Sequence, residues 1–152
     1  MARPHPLKEL MKTPLPPISY QKRKCYRPSL REVQETYLLI NKYVFNNQLV
    51  QPPIEIGVCR KYWGMCIGHQ TSTRKGTRCK IKLMDKWFCT QWMVTTLAHE
   101  MVHQYEWDIL GKEMTHRQNF FIWRDKLAEF NIDLKTAHGQ KHWFQYQDFK
   151  KA

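Results

Sequence analysis

Residues Leu97-Ala98-His99-Glu100-Met101-Val102-His103 set two imidazoles and a carboxylate inside an apolar run. In a helix, residues four apart stand one above the other, so His99 and His103 reach the same point in space. Glu100 then faces an adjacent part of the surface. Continuing the helix places Trp92, Thr96, His99, His103, Glu106 and Leu110 on one stripe, while Val94, Leu97, Ala98, Met101, Val102 and Ile109 fill much of the remaining circumference. A helix this apolar belongs in the interior, where a polar group without a partner costs roughly 2–7 kcal/mol. Hydrogen-bonded core histidines would be one answer. A histidine pair with glutamate between them points instead to zinc, held by the imidazoles, with Glu100 left free to act on a water molecule. Thr90 is the expected cap of this helix, Leu110 its last residue and Gly111 its stop.

A chain of 152 residues is long enough to bury a core as one domain, and its 42% hydrophobic content with six tryptophans gives that core its material. Lys and Arg number 25 against 13 Asp and Glu, a net charge of +12 that favours polyanions, nucleic acid first. The five cysteines, at 25, 59, 66, 79 and 89, include no Cys-x-x-Cys pair, which argues against both a disulfide framework and a cysteine-rich zinc ribbon. No apolar run has the length of a membrane span, and Met1 to Pro6 carries no signal-peptide core. A reduced compartment, cytoplasmic or nucleoid-associated, is the expectation, with no membrane partner. No oligomeric state follows from the sequence.

Residues 1–28 hold six of the eight prolines and seven Lys or Arg, and read as a basic, mostly extended arm. Ser29-Leu30-Arg31-Glu32 is a capping box, followed by Val33, Tyr37, Ile40 and Val44 at helical spacing, with Asn46 and Asn47 as the end. Ile54 to Cys59, Met65 to Gln70 and Cys79 to Met84 alternate as strands of a small antiparallel sheet. Between Arg60 and Lys82 there are seven Lys or Arg and no acid, with Tyr62 and Trp63 interleaved. Arg74, Lys75, Arg78, Lys80 and Lys82 are the candidate nucleic-acid contacts, where a basic edge strand that prevents aggregation is the competing explanation. A further helix is expected from about Thr115 to Phe130, ended by Asn131. Residues 29–132 thus form the main domain, and 133–152 a C-terminal extension of it.

A catalytic zinc ion usually has three protein ligands and an open position. His116 is the choice for the third, because the short Lys112 to Thr115 connection can return the chain to the His99 and His103 face. His69, His138, His142, Glu106 and Glu113 remain alternatives. The residues His99-Glu100-Met101-Val102-His103, then Trp107, Gly111 and Thr115-His116 with Phe120 or Phe121, resemble the SprT-like metalloprotease family, which includes Spartan. Upstream, a helix ending at Phe45-Asn46, the Leu49 segment, Gly64 and the strand Ile81-Lys82-Leu83 follow the same order. The resemblance implies a compact α+β, zincin-like domain: a small antiparallel sheet packed on the central HExxH helix, with flanking helices. It implies one catalytic Zn2+ on His99, His103 and His116, Glu100 as the catalytic base, and a protein substrate, often one bound or crosslinked to DNA. Arg117 stands where the family commonly has glycine, and the zinc ribbon of many members has no counterpart. Tyr62 and Tyr105 are candidate oxyanion donors, and the Cys79 to Met84 strand is a candidate platform for an extended substrate. A non-catalytic, zinc-stabilised DNA-binding or adaptor protein is the alternative. It predicts a fourth ligand from Glu106, Glu113 or a cysteine. DNA contact, if made, is expected to be salt-sensitive and not sequence-specific.

Overall fold

In a computed structural model, the described residues are 5–14 and 23–135. Helix α2, Leu30–Tyr43, starts where the capping box requires: the Ser29 hydroxyl accepts from the Glu32 amide at 3.1 Å and donates to the Glu32 carboxylate at 3.4 Å. It buries Val33, Tyr37 and Ile40, and the chain turns away through Asn46 and Asn47, both with positive φ. The Asn41 amide group then bonds both the N–H and the C=O of Leu49, fixing the return path towards the sheet.

Three strands follow: β1 (Ile54–Gly57), β2 (Gly64–Gly68) and β3 (Cys79–Met84), in the spatial order β1-β3-β2. β2 and β3 are antiparallel, but β1 and β3 are parallel, so the sheet is mixed where the sequence led us to expect an antiparallel one. β2 lies between β1 and β3 in the chain and runs back, which returns β3 to the direction of β1, and β3 itself decides the order. It buries Cys79, Ile81 and Leu83 completely on one face and turns Lys80 and Lys82 to the other, and this regular strand takes the centre. β1 and β2 are thereby left at opposite edges.

Helix α3, Thr90–Gln104, lies against the buried face of β2 and β3. Cys89, one residue before the expected cap, is its N-cap, with its sulfur accepting from the Trp92 amide. The helix continues to Leu110 as expected, but residues Tyr105–Ile109 form a wider π-helical turn, and Gly111 ends it with φ of 64°. The basic N-terminal segment is not uniformly extended: Pro6–Leu10 is a short helix, α1, whose Leu7 is fully buried beside α2. The helix expected from Thr115 to Phe130 is two short pieces, α4 (Gln118–Phe121) and α5 (Arg124–Ala128). With that interruption, Phe120 faces the histidines while Trp123 packs on Phe45 and Tyr105. No helix among the described residues is long and apolar enough to cross a membrane.

Candidate metal centre

Helical geometry on α3 brings His99 and His103 together, and the chain beyond Gly111 adds His116. The three Nε2 atoms form a triangle with every side 3.2 Å. Three imidazoles bonded to one tetrahedral ion at ~2.0–2.1 Å would have their nitrogens about 3.3 Å apart. Three imidazole nitrogens this close, converging on a common point, could hold a metal ion. Among the described residues these are the only three side chains grouped in this way. His69 and Glu113 lie outside the group, and His138 and His142 fall outside the described residues. Arg117 follows His116 with φ of −117°, a conformation open to any residue, so the position needs no glycine.

Glu106 lies outside this group, on the far side of His103. It is fully buried, and one carboxylate oxygen lies 2.9 Å from His103 Nδ1, the ring nitrogen turned away from the other histidines. The same carboxylate accepts from the Thr115 amide at 3.1 Å and from the Thr115 hydroxyl at 3.1 Å. Phe120, also fully buried, closes the apolar side: its ring centre is 4.8–4.9 Å from each of the three imidazole centres. Burial lowers the basicity of His103, against the opposing pull of Glu106, which favours the neutral ring a metal requires. Neither Glu106, Glu113 nor a cysteine joins the three histidines as a fourth ligand among the described residues.

Glu100 projects beside this group, with a carboxylate oxygen 3.9 Å from His99 Nε2. Burial pushes its carboxyl up to about 8, partly countered by a hydrogen bond from the Cys66 backbone N–H. Gly64 makes that position possible. A Cβ there would come within 2.9 Å of Leu83 and Thr96 side-chain carbons and 3.3 Å of Glu100 Cγ.

A cleft of about 690 Å³ opens above the histidines, lined by Gly64, Met65 and Cys66 of β2 and by Met84, Met114 and Tyr62, among others. Met84 N donates to Trp63 O and His69 N to Arg78 O, so the intervening Gly64, Cys66 and Gly68 turn their backbone groups away from β3. The edge beside the cleft is therefore β2. Cys79–Met84, expected as a substrate platform, is the central strand and has neighbours on both sides. Tyr105, half-buried, stacks on Phe45 and meets Trp123 edge-on, whereas Tyr62 does line the cleft.

The five expected nucleic-acid contacts do not line this cleft. Lys80 and Lys82 lie on the outer sheet face, where Lys80 pairs with Glu55 at 2.7 Å. Arg78 stacks over Trp107, and Arg74 donates to Gln51 O, while Lys75 is exposed in the β2–β3 connection. The cations that do reach the cleft are Lys24, Arg60 and Lys61, with Lys24 over the Trp63 ring at 5.0 Å. The signal for the last two was the aromatic-interleaved start of the basic stretch at Arg60. Lys24 becomes visible only through the fold.

Compared with known proteins, the chain matches the family model described as the SprT-like family over residues 33–138. No curated protein matches it.

Proposed function

The chain belongs to the SprT-like family, and from that premise we propose that it is a zinc-dependent metallopeptidase of zincin type, acting on proteins bound or crosslinked to DNA. The observation that supports this best is Glu100 beside three converging histidines, in a cleft flanked by an open strand edge. His99, His103 and His116 would hold the ion. Bound there, zinc supplies Lewis-acid chemistry, making a water molecule acidic enough to lose a proton near neutral pH. Glu100 takes that proton as the water oxygen attacks the peptide carbonyl, and returns it to the leaving nitrogen. The positive charge of an ion held by the three histidines would favour the ionised form of Glu100, offsetting its burial. The outward backbone groups of β2, apart from the Cys66 N–H that Glu100 holds, can pair with an extended substrate, which lays a peptide bond across the histidines. Tyr62 is the candidate donor to the oxyanion. The charge of +12 and the cations Lys24, Arg60 and Lys61 at the cleft support a polyanion near the substrate.

Replacing Glu100 by Gln tests the reading. The variant should keep its fold and its zinc while hydrolysis of a DNA-binding protein drops by about 10²–10⁴-fold. Undiminished cleavage would remove Glu100 from the mechanism.

A further inference from the structure

We propose that Glu106 is the positioning residue of this centre, using one carboxylate to set the tautomer of His103 and to hold the Thr115–His116 segment in place. The inference rests on the reading of the three histidines as a metal site. The three histidines are placed by two different structural constraints. His99 and His103 share α3, whose hydrogen bonds fix their Cα positions. His116 does not share it. It is exposed, and it precedes α4, a helix of four residues. The Glu106 carboxylate, fully buried, is what joins the two parts, through 2.9 Å to His103 Nδ1 and 3.1 Å to both the amide and the hydroxyl of Thr115.

Glu106 accepts from the amide and the hydroxyl of Thr115, and as an acceptor 2.9 Å from Nδ1 it holds the His103 ring proton on that nitrogen. Nε2 of His103 then presents its lone pair towards His99 and His116. Thr115 N also lies 3.3 Å from the oxygen that faces His103, so a glutamine with its oxygen turned to the ring would keep both of those contacts, whereas leucine removes every acceptor. The π-helical turn beginning at Tyr105 carries Glu106, and the Glu106 carbonyl accepts from Lys112 N at 2.9 Å. Side chain and backbone of one residue thus anchor both ends of the Lys112 to Thr115 connection.

The test is Zn2+ affinity of the full chain, measured by competition with a chelator, for wild type, Glu106→Leu and Thr115→Val. Loss of about 10–100-fold is expected for Glu106→Leu, the range seen when such supporting partners are removed, and a smaller loss for Thr115→Val, which keeps the amide contact. Ring-nitrogen NMR shifts of the metal-free protein provide a readout that a merely structural role would not move. They should place the His103 proton on Nδ1 in the wild type and redistribute it in Glu106→Leu. A folded Glu106→Leu protein with wild-type zinc affinity and an unchanged tautomer overturns the proposal. If that variant does not fold, unchanged affinity in Thr115→Val overturns it instead. Wild type that binds Zn2+ yet cleaves no protein would sink the peptidase reading and leave the role of Glu106 standing, whereas wild type that takes up no Zn2+ overturns both.

Discussion

Glu100 and Gly64 occupy their places at each other's expense. The glutamate carbon chain fills space that any side chain at position 64 would need, with Thr96 and Leu83 closing the remaining room. Gly64→Ala should therefore destabilise the protein by about 1–3 kcal/mol, as overpacking of a filled interior does. It should also lower hydrolysis, because Glu100 Cγ, 3.3 Å from the added carbon, is part of the same crowded contact. Urea unfolding and turnover of the same preparation check both, and a stable, fully active Ala variant would contradict the packing argument. At this scale the pairing of His99 with His103 was readable because the two are four apart on a helix, a relation that needs no tertiary information. The place of Glu106 was not. Spacing puts it on the ligand stripe, but whether it meets the metal or the far nitrogen of His103 depends on ring orientation and on where Thr115 arrives.

The π-helical turn at Tyr105–Ile109 joins the metal centre to the sheet. Glu106 faces the Thr115 segment, while Asp108 accepts from the Thr77 hydroxyl, from Arg78 N at 3.0 Å and from Gln104 Nε2 at 3.1 Å. Trp107 lies over Gly68, where a Cβ would approach its ring to 2.6 Å, and its indole N–H donates to His69 O. Asp108→Ala strips partners from the buried Thr77 and Gln104 side chains, so it should cost about 1–3 kcal/mol. Chemical denaturation measures this, and a change below about 0.5 kcal/mol, the range of ordinary surface substitutions, would count against the turn as a structural link. The sequence marks the end of this helix with Gly111 but not its widening, because residues 105–109 contain neither glycine nor proline. Strand order was hidden for a related reason. Alternation identifies β3 as a strand with one buried face, and cannot say which strands pair with it.

For the molecule as a whole, charge and pH responses follow from where groups are buried. Burial pushes the Tyr26 hydroxyl up to about 12, with Glu32 adding to the effect. Tyr37, which donates to Gln104 Oε1 at 2.6 Å, is raised further, again through burial. Both pKa values lie above the unfolded value of about 10, so their stabilising share is complete below pH 10 and lost as pH rises through the folded values. Urea stability should fall progressively above about pH 10, and Tyr37→Phe should flatten that fall; an unchanged slope would exclude Tyr37 as its source. DNA affinity, proposed from the net charge, should decline linearly on a log–log plot against salt without strong sequence preference. Salt-independent binding would mean that the cations are not making phosphate contacts. The sequence by itself determined the helix that carries His99, Glu100 and His103, the start of α2 and the family, because each rests on local spacing or a local cap. Tertiary structure alone decided the mixed strand order, the cleft edge at β2, the cations beside it and the shared carboxylate of Glu106, because each depends on how segments distant in sequence are brought together.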